Sequence, residues 1–246
     1  MGRPRRRLLA AALLGLAATT AFALDEDALR RAMPADVADD AILADWPGVP
    51  DRTLVAWADD GSRATGQAAS APVPSGPDMP DMIHLDVLVV ETSTGREVQR
   101  FHEDEAYPSL RGQFDHLEID TADYTLAPGR RAFGVRMVGV HHGFASQETA
   151  ILRLLEPAGA TLRPVLALET FDLLAYNDCG EGHETRRTVA IGRTSTRGHA
   201  DLVVHEKRAV TPDGSAHPDR CNPKIRRSER TVTLRFDGTR YPELLH

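Results

Sequence analysis

Ten histidines give this chain most of its chemical repertoire. His141-His142 sits between two runs that read as strands. His183 lies in Asp178-Cys179-Gly180-Glu181-Gly182-His183-Glu184. Imidazole and carboxylate are both proper zinc ligands. His141, His142, His183 and Glu184 would form a metal site if their two segments converge, leaving a position for water and Glu181 as a general base for hydrolysis. Adjacent histidines in a strand point to opposite faces, so this reading needs His141-His142 to lie in a loop. The competing reading is solvated loop histidines beside a hairpin.

Other groupings are less specific. His102-Glu103-Asp104-Glu105 clusters carboxylates that calcium could use, but it lacks the spaced oxygen ligands of a calcium loop and reads as a charged loop. Glu118, Asp120 and Asp123 offer a carboxylate pair of the kind glycoside hydrolysis uses. Clefts for that chemistry also tend to present aromatic platforms, and aromatics are only 5% of this chain. Trp46 and Trp57 read as packing residues, with Trp46, ahead of Pro47-Gly48, partly exposed as a small contact patch. Lys224, Arg226, Arg227 and Arg230 form a basic segment that would either grip an anionic partner or simply face nearby acids. The sequence contains no Gly-x-Ser-x-Gly, Ser-x-x-Lys or His-Glu-x-x-His and no phosphate-cradling glycine loop. The balance leans away from an enzyme, and no motif asks for a cofactor.

The first 23 residues give an address. Arg3, Arg5, Arg6 and Arg7 precede an apolar stretch from Leu8 to Ala18, and Ala21-Phe22-Ala23 is a small-x-small cleavage site. This is the pattern of an export signal cleaved after Ala23, and its apolar run is too short to span a membrane. Removing it takes four arginines and no acid, leaving 25 basic against 36 acidic side chains and a formal charge of −11. That balance argues against nucleic acid and anionic membrane surfaces as partners. Cys179 and Cys221 are the two cysteines. In an exported chain they read as one disulfide. Closing a loop of about 43 residues, it would contribute roughly 4 kcal/mol on chain-entropy grounds.

The segments that must position these residues read as strands. Residues 24–52 form an N-terminal segment, partly helical or disordered, with Leu29, Met33, Val37 and Ile42 near helical spacing over a short helix broken at Pro34. Residues 53–246 form a single β domain. Within it, residues 59–82 are Gly, Ser, Ala, Pro and Asp with almost nothing apolar, the composition of a mobile loop. Leu85–Val90 reads as one strand. Phe133, Val135 and Met137 alternate along another, and Val232, Leu234 and Phe236 along a third. A weak repeat of strand, loop and glycine-turned hairpin recurs three times, with turns at Gly95, Gly159 and Asp237-Gly238.

Gly198-His199-Ala200-Asp201-Leu202-Val203-Val204 and Leu234-Arg235-Phe236-Asp237-Gly238-Thr239-Arg240-Tyr241 resemble the strand motifs of FG-GAP and VCBS-type repeats, and segments of uncharacterised secreted bacterial proteins. The resemblance implies propeller-like blades, and in that family often a calcium loop. Here Thr194-Ser195-Thr196-Arg197 stands where the acidic loop would be. Three units are too few to close a propeller, so a β-sandwich of meanders is the alternative. The sequence thus leads to an all-β, antiparallel protein of the periplasm or the exterior. It reads as a non-catalytic binding or structural module for an envelope protein or small ligand, or alternatively as a metal-dependent periplasmic hydrolase.

Overall fold

The structure, a computed structural model, describes residues 40–59, 82–108, 113–176, 180–212 and 224–244. Among these residues there are eleven β-strands and no helix. They are β1 (Ile42–Asp45), β2 (Thr53–Asp59), β3 (Met82–Val90), β4 (Glu97–Pro108), β5 (Gln113–Ala127), β6 (Arg130–His142), β7 (Ala145–Ala158), β8 (Thr161–Tyr176), β9 (Gly182–Thr196), β10 (His199–Thr211) and β11 (Arg226–Leu234).

All belong to one mostly antiparallel sheet. Neighbours in the chain pair in turn from β1 to β4, and again from β5 to β11. The two runs meet at a single parallel bridge, Arg100 of β4 to Thr161 of β8. Local turn chemistry explains the consecutive pairing. Gly95, Gly129, Gly159 and Gly198 all have positive φ at hairpin turns. Arg197 and Gly198, at φ 51° and 82°, form the two-residue turn between β9 and β10 whose twist matches that of the strands it joins.

The alternating apolar positions sort into two main cores. Leu54 and Ala56 of β2, Leu85, Val87 and Val89 of β3, and Phe101 of β4 pack with Phe133, Val135 and Met137 of β6 and Leu155 of β7. The second core joins Tyr124 and Leu126 of β5, Leu152 and Leu154 of β7, and Val165, Leu166 and Leu168 of β8 with Leu202 and Val204 of β10, Leu234, Phe236 and Tyr241. β7 therefore supplies both cores from its two faces. Its run Ala150-Ile151-Leu152-Arg153-Leu154-Leu155 shows little period-2 alternation, as a strand covered on both sides requires.

Several sequence expectations change. Ile42 lies in strand β1, paired with Ala56, instead of continuing a helix; residues 24–39 lie outside the described residues. Asp59 is the last residue of β2 and Met82 the first of β3, so both ends of the expected mobile loop are strand; residues 60–81 lie outside the described residues. Trp46 is 4% exposed and packs edge-on against Phe133 with ring centroids 5.1 Å apart, so it offers no contact patch. The first two expected units have their hairpins, at Gly95 and Gly159. The third has its turn, closed by Asp237 N–H to the Arg240 carbonyl, but among the described residues no strand pairs beyond it. There Tyr241 N–H instead donates to the Val165 carbonyl at 2.8 Å, and its hydroxyl to the Ala200 carbonyl at 2.6 Å, which folds the tail across the second core.

Candidate functional site

The residues brought together for chemistry lie on β3 and β4. Leu85, Val87 and Val89 of β3 point into the first core, so His84, Asp86, Leu88 and Val90 point the other way. On that outer face Leu88 and Val90 join Ala41, Val55 and Trp57 in a third, small apolar cluster. His84 and Asp86 continue the same row toward the start of the strand.

β4 answers from across the ladder. Phe101 is buried, so His102 faces outward opposite its register partner Asp86. Glu103 turns inward, where its carboxylate meets Arg153 at 2.5 Å. The register then slips from Leu85↔Glu103 to Ile83↔Tyr107, and Glu105 takes φ 54°. β4 thus advances four residues against two of β3, and extra residues in one strand re-aim side chains locally. Here the bulge accompanies the placement of Asp104 beside His84. The acidic run 102–105 is thus strand, not loop, and its carboxylates are divided between two faces.

The geometry is close. Asp104 Oδ1 lies 2.8 Å from His84 Nδ1 and 3.1 Å from His102 Nε2. The other nitrogen of His102, Nδ1, lies 3.0 Å from Asp86 Oδ2. The two imidazoles are nearly parallel, with centroids 6.1 Å apart. One donor atom from each of His84, His102 and Asp104 falls within 4.8 Å of the others. The hydrogen bond to Asp86, and then the one to Asp104, holds the His102 pKa above its ordinary value. Bonds from His84 and then His102 hold the Asp104 carboxyl below the usual carboxylate range. On β2, Asp59 stands directly across from His84, and Trp57 across from Asp86.

Other charged clusters do different work. His116 has Asp115 on one nitrogen at 2.7 Å and Glu118 on the other at 3.5 Å, so its acids bracket the ring and share no common point with it. Arg136 spans Glu118 and Asp120, at 3.7 and 2.5 Å, which makes this carboxylate pair part of an ion-pair ladder. Glu156, fully buried, is held by Arg163 at 2.5 Å and by His199 at 3.0 Å, and the His199 ring stacks on Phe236. Glu206 sits between Arg187 and Arg230. Arg230 of the basic segment therefore already faces an acid.

The histidines singled out by sequence do not converge. His141 and His142 end strand β6, paired with Gln147 and Ser146 of β7, and being adjacent in a strand they face opposite sides. Gln147 pairs with Leu174 of β8, and Leu174 with His183 of β9. His141 and His183 are thus three strands apart in one row, roughly 14 Å at the usual strand spacing. His183 Nε2 lies 2.7 Å from Asp172, and Glu184 pairs with Arg186. Glu181 is exposed just ahead of β9. His141 and His142 line a shallow, open groove of about 430 Å³ with Gln113, Phe114, Asp115 and Val140. Cys179 and Cys221 lie outside the described residues.

A signal for the β3–β4 site was present in the sequence. His84-Leu85-Asp86 and His102-Glu103-Asp104 are two His-x-Asp pairs. In strands, residues two apart share a face. Comparison of the chain with protein-family models, curated proteins and solved structures finds no match.

Proposed function

We propose that this protein is an exported, non-catalytic binding module, a curled antiparallel scaffold that presents the outer face of β3–β4 to its ligand. The observation that carries this reading is the placement of His84, Asp86, His102 and Asp104. Their side chains stand on a solvent-facing strand pair whose opposite face is locked into the first core. Rigid strands hold recognition groups more tightly than loops do. The open setting favours capture of a ligand over a water-excluded reaction chamber. The tripartite N-terminal segment supports export, and in that setting Cys179 and Cys221 are read as oxidised. The layering of β2–β4 over β6–β7 favours a sandwich-like arrangement over propeller blades.

The test is cross-linking in the envelope fraction of source cells, comparing wild type with His84→Ala/His102→Ala. The reading predicts a processed chain beginning at Leu24, and a cross-linked species that the double substitution removes. An unprocessed cytoplasmic chain, turnover of an envelope substrate by the purified protein, or a cross-linked species indifferent to the substitution would contradict it.

A further inference from the structure

We infer that His84, His102 and Asp104 bind one zinc-class divalent cation, with Asp86 as the positioning residue for His102. The inference rests on the reading of this outer face as the binding surface and names what the surface takes.

The donor set fits that class of ion. Two imidazoles and a carboxylate, with no thiolate, suit zinc and its divalent neighbours better than soft monovalent copper or the all-oxygen cage that calcium prefers. Zinc bonds of about 2.0–2.2 Å place tetrahedral ligand atoms about 3.3 Å apart. Two of the three separations, 2.8 and 3.1 Å, are already close to that. All three donors lie within 4.8 Å of one another, so side-chain rotation alone can close the set. Three protein ligands leave a fourth position open to water or to a group on a partner.

Asp86 supplies an argument that a plain ion-pair cluster would not. Ligating histidines characteristically give their second nitrogen to a carboxylate, which fixes the tautomer and aims the lone pair. His102 has this arrangement, with Nδ1 on Asp86 and Nε2 toward Asp104 and His84. The Asp86 side chain is only 13% exposed, while that of Asp104 is 71% exposed. The orienting carboxylate is set into the face and the ligating one is open to solvent. Asp59, opposite His84 in the ladder, stands where a further carboxylate can act on the second imidazole.

The experiment is isothermal titration of the full-length, untagged chain with zinc chloride, with cobalt(II) absorption as a second readout. Wild type should bind one equivalent. His84→Ala/His102→Ala should lose that equivalent, with at least a hundredfold fall in affinity and an unchanged circular dichroism spectrum. Asp86→Asn keeps all three ligands, yet should weaken binding about 10- to 100-fold and alter the visible cobalt bands. A substitution acting only on packing would leave those bands unchanged. His141→Ala/His142→Ala should bind as wild type does. No zinc uptake, or uptake that survives His84→Ala/His102→Ala, would overturn the inference. If zinc binding is absent while the envelope cross-link still depends on His84 and His102, the binding-surface reading stands and the metal assignment alone falls.

Discussion

Arg187 and Glu206 face each other across β9 and β10, with Nε 2.7 Å from Oε2, and both side chains are under a tenth exposed. Glu206 also receives Arg230 at 2.6 Å, and Arg187 reaches Glu169 at 3.3 Å. Taking two charges out of water costs several kcal/mol per ion, which the pairing offsets only while the geometry is complete. Arg187→Ala should therefore cost about 3–5 kcal/mol in urea unfolding, because it leaves Glu206 buried with one partner fewer. Replacing Arg187 and Glu206 together by apolar residues of similar volume should cost much less. Equal losses in the two variants would show that the network contributes through packing alone.

The same carboxylate sets an acid limit. Burial works against its charged form, but hydrogen bonds from Arg230 and Arg187 outweigh burial and hold its pKa below the ordinary 4.5. A folded-state pKa lowered in this way contributes stability that is complete above the ordinary value and is lost as pH falls through the folded value. Thermal melts at descending pH should show wild type losing stability below 4.5 more steeply than Glu206→Gln. Parallel curves for the two would contradict this assignment.

Gly139 is fixed by contact and not by backbone angle. A Cβ built there would lie 1.9 Å from the Tyr107 hydroxyl and 2.9 Å from the Gln113 carbonyl. Tyr107 is 1% exposed in the first core, so the ring has little room to retreat. Gly139→Ala should destabilise by about 1–3 kcal/mol or more. Tyr107→Phe in the same chain should not rescue it, since the ring carbon Cζ is itself 2.4 Å from the new atom. Denaturant midpoints of wild type and these two variants decide the matter, and a wild-type midpoint in the double variant would contradict it.

Elements whose pattern is local were legible in the sequence. Phe133, Val135 and Met137 alternate as β6, while the nearly continuous apolar run at 150–155, broken only by Arg153, belongs to a strand covered on both faces. The glycine turns at 95 and 159 stand where strand periodicity places them. What was not legible depends on partners far away in sequence. Nothing in Arg100 or Thr161 announces the single bridge that joins the two runs of strands. His141-His142 drew attention because the two residues are adjacent, yet pairing with β7 turns them to opposite faces. His84 and His102 lie 18 positions apart, and only the carboxylates beside His102 suggest a metal from the sequence. Their convergence needs the β3–β4 register, and that of Asp104 goes with the bulge at Glu105, whose positive φ no local residue preference foretells.

The most direct measurement is anomalous diffraction at the zinc absorption edge from crystals of the full-length chain grown with one equivalent of zinc. The account predicts one peak, within bonding distance of His84 Nδ1, His102 Nε2 and Asp104 Oδ1, with Asp86 still on His102 Nδ1. A peak at His141, His142 or His183, or none on the β3–β4 face, would contradict it.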